Sequence, residues 1–339
     1  MLFCAGASQI SIEGLINAPE WRIRMAENTW ASDMIKKAIR ETAERFNNSS
    51  IETAEDMIPH MRTRIGEKKY PLKYMENIQY DNREDARMDI YYPDTGEGPF
   101  PVFIEVHGGA WYFGQKSSIE FAPFLRGLKR GYVCISLGYT LSPKAVYPQA
   151  VTEIKKAIGY IKKNSAYLNI NPDKIALWGG SAGAHLASLA ALSHDTGYLE
   201  RESGGCDSSV NVLVLWYGCY NYYLGKRLDR WVYENFFGKR NLSEASNEIL
   251  LSNPGCHVTK KAPYTLLQHG LSDTVVPYSQ SVYLYDIIKN IAGEERCTLE
   301  LMEKCDHADI KMFAEGNISR VFDYIDQNIS RHKTLRNGG

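Results

Sequence analysis

From Leu72 onward, short apolar runs alternate with stretches of helical periodicity, and that alternation leaves few folds open. The runs are Tyr74–Tyr80, Met88–Tyr92, Val102–Val106, Tyr132–Leu137, Ile175–Trp178, Val210–Trp216, Tyr264–Leu267 and Cys297–Met302. Most end in a glycine turn. Helical patterns occupy Ala145–Lys163, Ala182–Leu192, Ser279–Ile291 and Ile318–Ile329. Apolar runs of this kind read as strands buried on both faces. From the third run onward strand and helix take turns, which predicts an α/β fold: an eight-stranded, mostly parallel sheet flanked by helices, with an early hairpin at one edge.

Two segments break the rhythm. Residues 1–70 read as helical, because Ile35, Ile39 and Phe46 fall near helical spacing and Thr53 with Asp56 forms a capping box. They are expected to form an N-terminal cap or arm on a main domain spanning 71–332. After Trp216 about forty residues pass before the next strand, long for one connection. This stretch carries Tyr217, Tyr220, Tyr222, Tyr223, Trp231, Tyr233, Phe236 and Phe237. We read 217–258 as an aromatic-rich insertion that covers the face where the chemistry sits.

That chemistry is written in three distant words. Gly179-Gly180-Ser181-Ala182-Gly183 lies between an apolar run and a helix start. A sharp strand-to-helix turn there lifts a hydroxyl above the sheet edge, and the crowded turn needs small neighbours. The N-terminus of the following helix favours negative charge developing at the serine. Alone, G-x-S-x-G is also an ordinary glycine-rich turn. The upstream word His107-Gly108-Gly109 changes its weight, because attack by Ser181 on a carbonyl creates an oxyanion that backbone N–H groups must meet. Gly108, Gly109 and Ala182 are the expected donors, with His107 bracing the loop. Asp273 and His307 each follow a strand-like run, so both belong at the sheet rim that carries Ser181. The order serine, acid, histidine supplies a nucleophile, an orienting carboxylate and a base. Asp306 and Asp309 compete for the acid role but rank below Asp273. Trp111, Tyr112, Tyr217 and Tyr220 are the expected lining of a substrate pocket.

Bulk properties exclude other classes. With 39 basic and 40 acidic side chains, the chain has no electrostatic footprint for nucleic acid and no polybasic membrane anchor. Its seven cysteines are scattered, odd in number and without a C-x-x-C pair. Reduced thiols and a cytoplasmic location are the expectation. Met1 to Gly14 lacks the basic and apolar regions of a signal peptide. The remaining histidines, His185 among them, show no metal-ligand spacing, so neither a metal nor another cofactor is expected. The expected partner is a small-molecule ester, with no nucleic acid and no membrane; a homodimer is the candidate assembly.

These words resemble the α/β-hydrolase superfamily, and within it the esterase and lipase group related to hormone-sensitive lipase. The likeness runs from about Tyr74 to Ile329 and is strongest to bacterial esterases of the bifunctional feruloyl and acetyl-xylan type. It rests on His107 to Trp111, Tyr139-Thr140-Leu141-Ser142-Pro143 with Tyr147-Pro148, Gly179 to Ala187, and His269-Gly270 through Asp273 to Val276-Pro277. The resemblance implies Ser181, Asp273 and His307 as a catalytic triad and Gly108, Gly109 and Ala182 as the oxyanion hole. Three positions depart from the group's pattern: Ala110 replaces a third glycine, Gly180 an aspartate before the serine, and Lys144 a glutamate. A cofactor-independent carboxylesterase acting on short acyl or aryl esters, including acetylated or feruloylated sugars, is the leading expectation. An arylformamidase or small serine peptidase would use the same triad. A non-catalytic binding protein of the same fold is a further alternative.

Overall fold

Eight strands form in a computed structural model that describes residues 73–117, 119–222, 224, 232–240 and 244–331. The expected helical arm at 1–70 and part of the aromatic insertion lie outside the described residues. The strands are β1 (Tyr74–Gln79), β2 (Arg87–Tyr91), β3 (Phe100–Val106), β4 (Val133–Leu137), β5 (Ile170–Gly180), β6 (Val212–Trp216), β7 (Tyr264–Gly270) and β8 (Cys297–Met302). Their order in the sheet is β1-β2-β4-β3-β5-β6-β7-β8. Only the β1–β2 and β2–β4 pairs are antiparallel; every other pair is parallel. This is the α/β-hydrolase arrangement that the sequence predicts.

The described helices are α1 (Gln149–Lys163), α2 (Ala182–Leu192), α3 (Ser246–Leu251), α4 (Ser279–Ala292), α5 (Ile310–Phe313) and α6 (Glu315–Asn328). Pro148 stands immediately before α1, and Lys162 and Lys163 occupy its last turn, where cations complement the helix dipole. A 3-10 segment, Ile119–Arg130, connects β3 to β4. It carries Pro123 and winds with about three residues per turn.

Strand alternation divides the core in two. From β3, Val102, Ile104 and Val106 join the face covered by α1, α2 and α4. Phe103 joins the opposite face with Trp178, Trp216 and Phe322, covered by the 3-10 segment and α6. Every residue of β4, β6 and β7 is buried, which explains why those strands read as unbroken apolar runs. No helix among the described residues is long and apolar enough to cross a membrane. Within the described insertion, a short wide-helix turn at Val232–Phe236, α3, and a 3-10 turn at Pro254–His257 lie between β6 and β7.

Candidate active site

Parallel strands deliver their carboxyl ends to one rim, and the loops after β3, β5, β7 and β8 meet there. Ser181 stands between β5 and α2 with φ 54° and ψ −121°, a conformation side chains rarely adopt. Two glycines make the turn feasible. A Cβ on Gly179 would lie 2.3 Å from the Gly183 carbonyl oxygen, and one on Gly183 would lie 2.1 Å from that of Val106. The Ser181 N–H donates to the Trp216 carbonyl at 2.9 Å, tying the turn to β6.

His307 Nε2 lies 3.0 Å from Ser181 Oγ, and its Nδ1 lies 2.8 Å from Asp273 Oδ2. These side chains, separated by as many as 126 positions, thus form one hydrogen-bonded chain. Asp273 accepts four bonds. Oδ1 takes the N–H groups of Val275 (2.9 Å) and Val276 (2.7 Å), and Oδ2 takes His307 and His269 Nε2 (3.1 Å). Burial alone would raise this carboxyl, but the two imidazoles outweigh it and hold Asp273 well below the usual carboxylate range.

The loops that carry Asp273 and His307 are fastened to each other. Asp306 Oδ1 accepts from the Thr274 N–H (2.8 Å), the Thr274 hydroxyl (3.0 Å) and the His307 N–H (2.7 Å). Asp309 caps α5 through the Lys311 N–H and accepts from the Asp306 N–H. Both competitors for the acid role are therefore engaged in shaping the loop. His269 is the residue whose part sequence reasoning missed. Its fully buried ring also accepts from the Ser281 hydroxyl at Nδ1, at 2.7 Å. The available signal was the word His269-Gly270-Leu271-Ser272-Asp273 itself, which sets the imidazole four residues before Asp273.

The glycine loop after β3 lies directly on the serine turn. A Cβ on Gly108 would sit 2.9 Å from the Gly180 carbonyl oxygen and 3.5 Å from Ser181 Cβ. Gly109 takes φ 116°, open to glycine and strained for other residues. Ala182 opens α2, where a backbone N–H has no partner within its helix. His107 is buried; its Nδ1–H donates to the Gly108 carbonyl at 2.8 Å, and its ring stacks on Tyr139 at 4.3 Å. Burial pushes its imidazole down to about 4.

The aromatic candidates separate into different environments. Tyr112 is partly exposed beside the glycine loop. Tyr217 is buried and sets its ring edge-on to His307 at 4.8 Å. Trp111 is nearly buried, stacked on Phe236 at 4.6 Å, and its Nε1–H donates to His185 Nδ1 at 3.1 Å. Tyr220 corrects the pocket expectation. It is 0% exposed, its N–H donating to Gln280 Oε1 at 2.8 Å, so its ring packs in the core and offers no surface to a substrate. Among the described residues no group of three or more His, Cys, Asp or Glu side chains is placed to hold a metal ion.

Residues 88–288 match the profile of the BD-FAE family. The esterase LipQ of Mycobacterium tuberculosis (strain ATCC 25618 / H37Rv) is 32% identical over 199 residues, covering 57% of this chain and 47% of LipQ. The isoprenylcysteine alpha-carbonyl methylesterase ICME of Arabidopsis thaliana is 28% identical over 239 residues, covering 66% of this chain and 54% of that protein. The chain thus spans about half the length of these relatives. Among solved structures, a truncated carbohydrate esterase from gut microbiota superposes with a TM-score of 0.65 at 25% identity, covering 75% of this chain and 95% of that one.

Proposed function

The chain belongs to the BD-FAE family, and on that premise we propose that it is a serine carboxylesterase acting on short acyl or aryl esters, acetylated or feruloylated sugars included. The observation that carries this reading is the continuous chain from Ser181 Oγ through His307 to Asp273, at 3.0 and 2.8 Å. In the proposed mechanism Oγ attacks the ester carbonyl carbon while His307 Nε2 takes its proton. Asp273 holds the imidazole in orientation and stabilises its positive charge. The N–H groups of Gly108, Gly109 and Ala182 receive the oxyanion. Collapse breaks the bond to the alcohol, which leaves with the proton from His307. Water, deprotonated by the same imidazole, then cleaves the acyl-enzyme and regenerates the serine. The carbohydrate-esterase neighbour supports sugar esters as a substrate class. Cytoplasmic action with reduced thiols is consistent with Cys134, Cys206, Cys219, Cys256, Cys297 and Cys305 standing unpaired.

Ser181→Ala is the direct test. On p-nitrophenyl acetate kcat should fall by about 10⁴- to 10⁶-fold. Retained turnover would remove the nucleophile from this account. A panel of acetylated sugars, a feruloyl ester, N-formylkynurenine and p-nitrophenyl esters of rising length should show fastest cleavage of short esters. Preference for the formamide would instead favour an arylformamidase built on the same residues.

A further inference from the structure

One histidine outside the Ser181–His307–Asp273 chain is hydrogen-bonded to three separate parts of the site. His185 sits one turn after Ser181 on α2, and its backbone N–H donates to the Ser181 carbonyl at 3.1 Å. Its ring is 0% exposed. Nδ1 accepts the Trp111 indole N–H at 3.1 Å, and Nε2 donates to the Ser252 carbonyl at 2.8 Å. An indole is only a donor and a carbonyl only an acceptor, so a single neutral tautomer, protonated at Nε2, satisfies both. Trp111 belongs to the glycine loop after β3; Ser252 ends α3 in the insertion.

That loop needs holding. Gly109, Ala110 and Trp111 take φ values of 116°, 50° and 60° in succession. For the two residues with a Cβ, such a backbone is strained and persists only where neighbours enforce it. Two hydrogen bonds act on Trp111 itself, beside its stacking on Phe236: the Ser142 N–H donating to its carbonyl at 2.9 Å, and the indole bond to His185.

We propose that His185 is a positioning residue for the hydrolysis: through Trp111 it sets the height of the oxyanion loop over Ser181, and through Ser252 it couples that height to the insertion. The inference rests on Ser181 being the nucleophile. Oxyanion stabilisation depends on donors fixed before reaction, so a loosened loop lowers kcat and leaves ground-state binding little changed.

Substitutions separate the two bonds. Trp111→Phe removes the indole donor. His185→Gln keeps an amide N–H near Nε2 and loses the acceptor for Trp111, whereas His185→Asn keeps an acceptor near Nδ1. With p-nitrophenyl acetate, Trp111→Phe and His185→Gln should lower kcat by about ten- to a hundredfold with KM within about threefold. His185→Asn should stay within about fivefold of the parent. A trifluoromethyl ketone, which forms an oxyanion on the serine, should lose affinity in parallel with kcat. If Trp111→Phe does not fold, benzothienylalanine encoded at position 111 keeps the bicyclic shape without the N–H. Unchanged kcat in that protein or in folded Trp111→Phe overturns the proposal, as does His185→Asn being as impaired as His185→Gln. An inactive Ser181→Ala beside an unimpaired Trp111→Phe defeats this inference alone; an active Ser181→Ala defeats it together with the nucleophile assignment.

Discussion

Glu105 is the residue whose identity is hardest to reconcile with its surroundings. It occupies β3 two positions before His107, is 0% exposed, and accepts the Ser136 hydroxyl at Oε2. Oε1 has no hydrogen-bond partner among the described residues. Burial pushes its carboxyl up to about 8, so it carries a proton at neutral pH. A carboxyl raised on folding contributes its full share of stability below its unfolded pKa and loses it as pH rises toward the folded value. Glu105→Gln, which cannot ionise, should therefore gain stability relative to the parent as pH rises from 5 to 8, by about 1.4 kcal/mol per pH unit. Urea unfolding of both proteins across that range measures it. A difference that does not change with pH would show that Glu105 is ionised in the fold.

At the scale of elements, the β5–α2 junction is among the tightest places in the described residues. Gly183 has no room for a methyl group, since the carbonyl oxygens of Val106 and His107, at and just after the end of β3, would lie 2.1 and 2.6 Å from it. Gly183→Ala must push α2 away from β3. Overpacking of this kind costs about 1–3 kcal/mol, expected as a Tm lower by roughly 2–5 °C together with a large fall in kcat. An unchanged Tm would mean the junction has slack. The elements themselves were largely legible in the chain. Cys297–Met302 and Ala182–Leu192 fall where their apolar patterns begin and end. β5 starts earlier than its apolar run, at Ile170, because Asn171 to Lys174 extend the strand without apolar side chains to mark it. α1 starts later than its pattern, at Gln149, because Pro148 delays the helical ladder. The Ile119–Arg130 segment is amphipathic, but Pro123 inside it interrupts the pattern of an α-helix.

Across the whole molecule, buried imidazoles set the acid limit. Burial lowers both His107 and His185 to about 4. An unfolded chain protonates such side chains near pH 6.5, so stability from their neutral burial is present above that value and is lost as pH falls toward 4. Each can account for up to about 3 kcal/mol. Because Glu105 acts in the opposite direction, the clean measurement is urea unfolding in the Glu105→Gln protein: stability should drop by several kcal/mol, on the order of 2–5, between pH 6.5 and 4.5. A flat profile would show that both rings are charged in the fold. Apolar periodicity and glycine-bounded turns are local properties of a chain, so the sheet, its four long helices and the short list of Ser181, Asp273, His307 and the glycine loop could be read from residue order alone. The folded arrangement was needed to show that Tyr220 is core, that His269 shares Asp273 with His307, and that His185 joins Trp111 to Ser252. Those partners stand 74 and 67 residues from His185. A hydrogen bond between such distant side chains leaves no period in the sequence; it exists only once the sheet has brought its loops to one rim.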